Sequence, residues 1–306
     1  MALSAQGASC CGGGGASSLI LPKAGADMFG LGLDVEHYDG LWRDDGHWVR
    51  DPDGSDLNQY RLNVGYAHRF SDHWQGAVNL PYVWNRNAYA GFSRNTEGVG
   101  DTTLSLLYET FDGVTCVYKV DSWRDLIPAV YVGTALTVPT GVSPYDNVQD
   151  NFDITGRGFY RLDGTVIIDK SVYPWNAGLQ LTYGTHLARP VNREYGNYVE
   201  PYTKRLGDRA SGSLSFGYTW FTEEMATWTA TLAYADLWEG EATIDGERDP
   251  TSGLRKRSLA ATVAWSSAER DWVVKGSWSH SPNENNWGEN FPTTDVFSLA
   301  FSHVLR

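Results

Sequence analysis

Along most of the chain, apolar and polar residues alternate with a period of two. In YRLNVGYAHRF (60–70), Tyr60, Leu62, Val64, Tyr66, His68 and Phe70 share one parity, and Arg61, Asn63, Gly65, Ala67 and Arg69 share the other. A strand sends successive side chains to opposite faces, so one face here is apolar and the other polar. Residues 74–84 repeat the pattern, with Trp74, Val78, Leu80, Tyr82 and Trp84 set against Gln75, Ala77 and Asn79. Only Ser71, Asp72 and His73 separate the two runs, which predicts a tight hairpin. Continued along the chain, the pattern predicts about twelve strands, each near the length of a tilted membrane strand. They fall at about 26–38, 59–70, 74–84, 98–110, 126–138, 157–170, 176–186, 208–221, 227–237, 255–265, 271–281 and 293–305. Helical periodicity is hard to find anywhere.

The connections alternate in length. Those at 71–73, 171–175, 222–226 and 266–270 are short. Those at 39–58, 85–97, 139–156, 187–207, 238–254 and 282–292 are long and rich in Asp, Asn, Gly and Pro, and the link 111–125 breaks the short series. Short turns at one end and long loops at the other mark an up-and-down outer-membrane barrel.

The polarity of the two faces selects between a soluble and a membrane version. Aromatic residues sit near the ends of the apolar faces: Tyr60, Phe70, Trp74, Trp84, Trp220, Trp228, Tyr234, Trp272 and Trp278. Interfacial girdles are placed in this way. The opposite face is too polar for a packed core, with Ser211, Ser213, Ser215, Gly217 and Thr219 on one strand and Thr227, Thr229 and Thr231 on the next. The expectation is therefore an all-β fold, a transmembrane up-and-down antiparallel β-barrel of about twelve strands in a bacterial outer membrane. An open sheet edge in hydrocarbon would leave backbone groups unpaired at several kcal/mol each, so the last strand must pair with the first. In that last strand Phe297, Leu299 and Phe301 face lipid, and the chain ends in Arg306 rather than in an aromatic residue.

Composition narrows the alternatives. No stretch reaches the roughly 18 consecutive apolar residues of a spanning helix. The 13 Trp, 17 Tyr and 11 Phe supply far more burial than a disordered chain carries. A net charge of −13 argues against a nucleic-acid partner. Residues 1–9 lack the basic start and apolar run of a secretory signal, so location rests on the strand pattern. Residues 1–25 do not alternate and form a separate N-terminal segment ahead of the barrel at 26–306. Within them, Ser18-Leu19-Ile20-Leu21-Pro22 is short and apolar. It either folds into the barrel as a plug or extends into the periplasm, where it could meet a partner.

Two segments carry a family resemblance. GVGDTTLSLLY (98–108) is similar to the strand motif of the bacterial family named for the MetA-pathway of phenol degradation, and PAVYVGTALTVPTG (128–141) resembles that family's next strand, running into a PTG loop start. The resemblance implies an outer-membrane, transporter-like channel for hydrophobic or aromatic compounds. It implies no catalytic residue.

If the polar parity lines a lumen, Asp34, Arg61, Asn63, Asn79, Asp101, Thr103, Arg161, Asp163, Gln180 and Lys275 are its candidate pore-lining residues. Asp34, Arg161, Asp163 and Lys275 fall near mid-height, where fixed charges would select solutes. The alternative is that these charges pair and fill the bore, leaving a structural or partner-binding barrel. Twelve strands lie between the filled eight-stranded barrels and the open sixteen-stranded porins. The lipid of the outer membrane and a small-molecule solute are the expected partners, and no cofactor is implied.

Three further features could carry chemistry. Cys10 and Cys11 are adjacent, with Cys116 in the link at the same end of the barrel. They suggest a disulfide pinning the tail, a redox or soft-metal pair, or lipidation at Cys10. Asp51, Asp53 and Asp56 in DPDGSD resemble part of a calcium loop without its distal Glu; a solvated acidic loop is the plainer reading. The seven His residues include no His-x-Ser-Asn-Gly pattern, and Gly-x-Ser-x-Gly is absent, so an enzyme is not expected.

Overall fold

A computed structural model describes residues 19–89, 92–113, 115–149 and 153–306. Among them, twelve strands close into an antiparallel barrel. They are β1 (Asp27–Trp42), β2 (Asp56–Arg69), β3 (Trp74–Tyr89), β4 (Thr102–Glu109), β5 (Ala129–Val138), β6 (Arg161–Val172), β7 (Trp175–His186), β8 (Arg209–Phe221), β9 (Thr227–Glu239), β10 (Leu254–Ser266), β11 (Trp272–His280) and β12 (Phe291–Leu305). Each pairs with its neighbours in sequence, and β12 returns to β1 in a register from Asp27↔Leu305 to Trp42↔Phe291, with a bulge at Tyr38/Gly40.

All twelve expected segments are strands, with shifted ends. The segment 98–110 is divided: Phe92–Val99 pairs with β3 as the return arm of a protruding hairpin, and β4 begins after Gly100 and Asp101. Strand β5 starts at Ala129 because Trp123–Leu126 form a 3₁₀ turn. Two of the long connections are themselves hairpins. Arg189–Glu194 with Asn197–Arg205, and Ala242–Ile244 with Glu247–Asp249, join in a four-stranded sheet at the long-loop end. The link 111–128 lies against the short-turn end of β6. Lys170 donates to the carbonyls of Thr115 at 2.9 Å and Ile127 at 3.0 Å, and Val117 bridges to Val172.

The two faces divide as the alternation predicts. On β1, β2, β4 and β12 the outward Phe29, Leu31, Val64, Tyr66, Leu104, Leu106, Phe297 and Leu299 are exposed, while inward Asp34, Asn63, Glu109 and Val296 are buried. Leaving a large apolar side chain in water forgoes roughly 1.5–3 kcal/mol relative to burial. A whole wall of such residues is stable only against hydrocarbon, and aromatic contacts such as Tyr60–Trp84, Trp74–Tyr108 and Trp175–Tyr218 border it. This is an outer-membrane barrel.

Candidate functional site

The lumen is built from the inward parity of all twelve strands. At mid-height Asp34 on β1 accepts from Asn63 Nδ2 at 2.9 Å and from Ser298 Oγ at 2.6 Å. Asn63 in turn accepts a 3.5 Å contact from Asn79. A polar rung thus crosses β12, β1, β2 and β3. Thr103 stands opposite Asn79 in register, and Gln180 lies on the inward parity of β7.

Higher on the opposite wall, Arg161 Nε donates to both oxygens of Asp163, at 2.8 and 3.0 Å. Gly184 makes room for this pair: a Cβ there would lie 1.9 Å from Asp163 Oδ1. Beside it Arg157 grips Glu239 through two bonds of 2.6 and 2.7 Å, with Arg209 3.9 Å from the same carboxylate. On the β1 side Lys256 lies 3.8 Å from Glu36 and donates to Thr294, and Arg61 donates to Gln59 at 2.5 Å. Lys275 differs from these cations. It is buried between Ala264 and Ala300 and forms no ion pair or hydrogen bond among the described residues.

Residues 19–25 enter the lumen at the short-turn end. Leu19 sits on Gly30 and Gly65, so closely that a Cβ on Gly65 would lie 2.2 Å from Leu19 Cδ1. Leu19 and Leu21 pack with Met28, Ala67 and Val304, and Ile20 packs against Leu107, Ala129, Tyr131 and Ile167. Glu109, 1% exposed, gathers the polar contacts: it accepts from Lys23 at 2.9 Å, Arg69 at 2.8 Å and Gln75 at 2.5 Å. Gln75 also accepts from the Leu21 N–H at 2.7 Å, and Arg69 donates to the carbonyls of Leu21, Pro22 and Gly25.

Asp101 occupies a different position from a mid-lumen charge. It lies between Phe92–Val99 and β4, where Oδ1 accepts from Gly141 N–H at 3.1 Å and Oδ2 from Arg157 N–H at 2.7 Å. Thr140 completes the joint, donating to Gly100 O at 2.6 Å and accepting from Thr102 N–H at 3.0 Å. Burial raises the Asp101 carboxyl above the ordinary carboxylate value, while the two N–H donors pull it down. The residue fastens the 139–157 loop to the barrel rim.

Other candidates separate. Asp53 and Gly54 are exposed in a turn, and among the described residues no three His, Cys, Asp or Glu side chains are placed to hold a metal. Cys10 and Cys11 lie outside the described residues; Cys116 is half-buried in the link beside β6. Sequence parity marks Arg209, Glu239 and Lys256 as inward, at the long-loop ends of faces otherwise rich in Ser and Thr. Lys23 lies outside the alternation and carries no such signal, and Arg157 opens the expected strand 157–170 but precedes the observed one, which begins at Arg161.

The Asp101–Gly141 bond joins the two segments that carry the family resemblance. Residues 59–195 match the family described as "Putative MetA-pathway of phenol degradation". That stretch includes both motifs, and with them the loop joint and the Glu109 side of the lumen. Among solved structures, the chain is similar to the COG4313 outer membrane channel from Pseudomonas putida F1, with 16% identity over 92% of this chain and 96% of that one, and a TM-score of 0.66. It is also similar to the beta domain of the Bordetella autotransporter BrkA, with 10% identity over 92% and 100% of the chains and a TM-score of 0.53. At these identities the likeness is one of fold. No curated protein matches the sequence.

Proposed function

We propose that the barrel is a passive outer-membrane channel for small solutes, and that residues 19–25 narrow its periplasmic mouth. One observation carries this reading. Apart from Arg209, Glu239, Lys256, Lys275 and a few apolar residues, the inward side chains of β8–β11 are small, including Ser211, Ser213, Gly217, Ala233, Ala260, Thr262 and Ser277. Side chains just fill an eight-stranded barrel, so small ones on a wider twelve-stranded wall leave a water path. Asp34, Asp163 and Lys275 are the charges that sort solutes along it. The family description favours hydrophobic or aromatic solutes, which would pass the apolar seats around Leu19 and Ile20 near the exit.

A second reading has one specific observation behind it, the insertion of Leu19–Gly25 into the lumen. In that reading the bore is filled, and the N-terminal segment is a docking element for a periplasmic partner. Single-channel recording separates the two. A channel gives discrete openings whose conductance rises when residues 1–25 are deleted. A trace that stays closed after that deletion refutes the channel and favours the filled barrel.

A further inference from the structure

Near the long-loop end, the outer wall is indented by a groove of about 590 Å³. It crosses β6–β10 along two register rows. One runs Gly164, Tyr183, Ala210, Trp238, Arg255, and the other Val166, Leu181, Gly212, Asp236, Arg257. The floor is made by the small residues Gly164, Ala210 and Gly212, and the rims by Leu181, Tyr183 and Trp238. Packing does not require the glycine at 164: a Cβ there would meet nothing closer than 3.9 Å. At Gly164 the hollow is therefore open space facing lipid, while at Gly212 the Leu181 side chain leans over the floor, 3.3 Å from where a Cβ would lie.

The β9–β10 end of the groove is ionic. Arg255 donates to Asp236 at 3.1 and 2.6 Å, and Arg257 Nε reaches the same carboxylate at 3.4 Å while its Nη1 donates to Asn286 O at 2.7 Å. Two guanidinium groups thus share one carboxylate. Around them, Glu289 stands beside Arg255 in register, and Arg205 pairs with Asp208 above Tyr183. A charge facing lipid costs about 2–4 kcal/mol at the bilayer midplane for Arg, falling to about 0–1 kcal/mol near the interface. Arg255 and Arg257 lie at the start of β10, beside a long loop, which is headgroup level. Basic sites at that level, continuous with an apolar hollow, suit an anionic lipid head with its chain attached. Arg also matches phosphate geometry with paired donors.

We propose that this groove binds a phosphorylated, multiply acylated glycolipid of the outer leaflet, with an acyl chain over Gly164, Ala210 and Gly212 and a phosphate on Arg255 and Arg257. The site is on the outer wall and does not depend on whether solutes pass through the lumen.

Native mass spectrometry of the purified full chain tests this, with three probes: a bis-phosphorylated, hexa-acylated glucosamine disaccharide, the same lipid without phosphates, and phosphatidylglycerol. The phosphorylated glycolipid is expected to stay bound preferentially. R255Q/R257Q should weaken its retention about tenfold or more, and so should G164L, which fills the floor without touching a charge. Slower migration of the heated sample on a gel shows that each variant had folded. Equal retention of the phosphate-free lipid or of phosphatidylglycerol overturns the proposal. So does a dimer without lipid, or undiminished binding by folded R255Q/R257Q or G164L.

Discussion

Gly141 donates its backbone N–H to the Asp101 carboxylate at 3.1 Å, joining the start of one family motif to the end of the other. The bond closes a joint in which Arg157 N–H, Thr140 and Gly100 also take part. Asp101→Ala removes both carboxylate bonds and leaves two N–H donors without their acceptor. The expected cost is about 2–4 kcal/mol, because hydrogen bonds to a charged group are worth roughly 1.5–3 kcal/mol each and are not additive. Denaturant unfolding of the barrel measures the loss, and limited proteolysis should cut within 139–157 before any strand is cut.

Glu109 holds the entering segment through Lys23, and holds Arg69 and Gln75 on the wall. Glu109→Gln removes the charge and leaves two cations facing a neutral group. Breaking a buried pair in this way costs about 3–5 kcal/mol. The segment 19–25 should then leave its seat, becoming open to protease from the periplasmic side and raising conductance. Gly65→Ala should have the same effect by a steric route, since its Cβ would strike Leu19. A segment as protected in both variants as in the parent would show that these contacts do not hold it.

Lys275 is a lumen cation with neither an ion pair nor a hydrogen bond among the described residues, and Asp163 is held by Arg161. In an aqueous bore, one unpaired charge acts on a passing ion with about 1 kcal/mol at 4 Å. Lys275→Ala should therefore shift the reversal potential toward cation selectivity by about fivefold in permeability ratio. Asp163→Ala frees Arg161 and should shift it the other way. Unchanged selectivity in both open variants would remove these residues from the solute path.

Val64 is 50% exposed on the outward face of β2, near mid-strand, while its neighbour Asn63 is buried inside. Val64→Arg places a charge in hydrocarbon and should destabilise the barrel in lipid by about 2–4 kcal/mol. Refolding into vesicles across a denaturant series reads this directly. A neutral result would mean that this position does not face the bilayer core.

The wall was more legible in the sequence than what lies inside and above it. Period-two alternation reports only which side of a sheet a residue faces, and here one side meets oil and the other water, so the strands around Leu62, Leu104 and Phe297 stand out. The partner of each inward charge depends on shear between strands several positions apart. That is why Arg157 and Glu239 meet without a local pattern to announce it. Asp101 continues the inward parity of β4, yet the break at Gly100 turns it into the rim joint. The loop hairpins at 189–205 and 242–249 are short and polar, with only Val191 and Ala242 buried, so they lack the apolar stripe that betrays a barrel strand. Leu19 and Ile20 are apolar but too few to show a period, and their seats are made by residues on other strands, Gly30 and Gly65 under Leu19 and Leu107, Ala129, Tyr131 and Ile167 around Ile20.

The pairing of Asp27 with Leu305 also sets an order of events. The opening strand has one neighbour as soon as β2 follows it, but its other edge waits for the twelfth strand of the barrel. Through export, that bare edge and its oily face need an escort. Insertion then finishes in a single seam, between the first and the last strands of the wall.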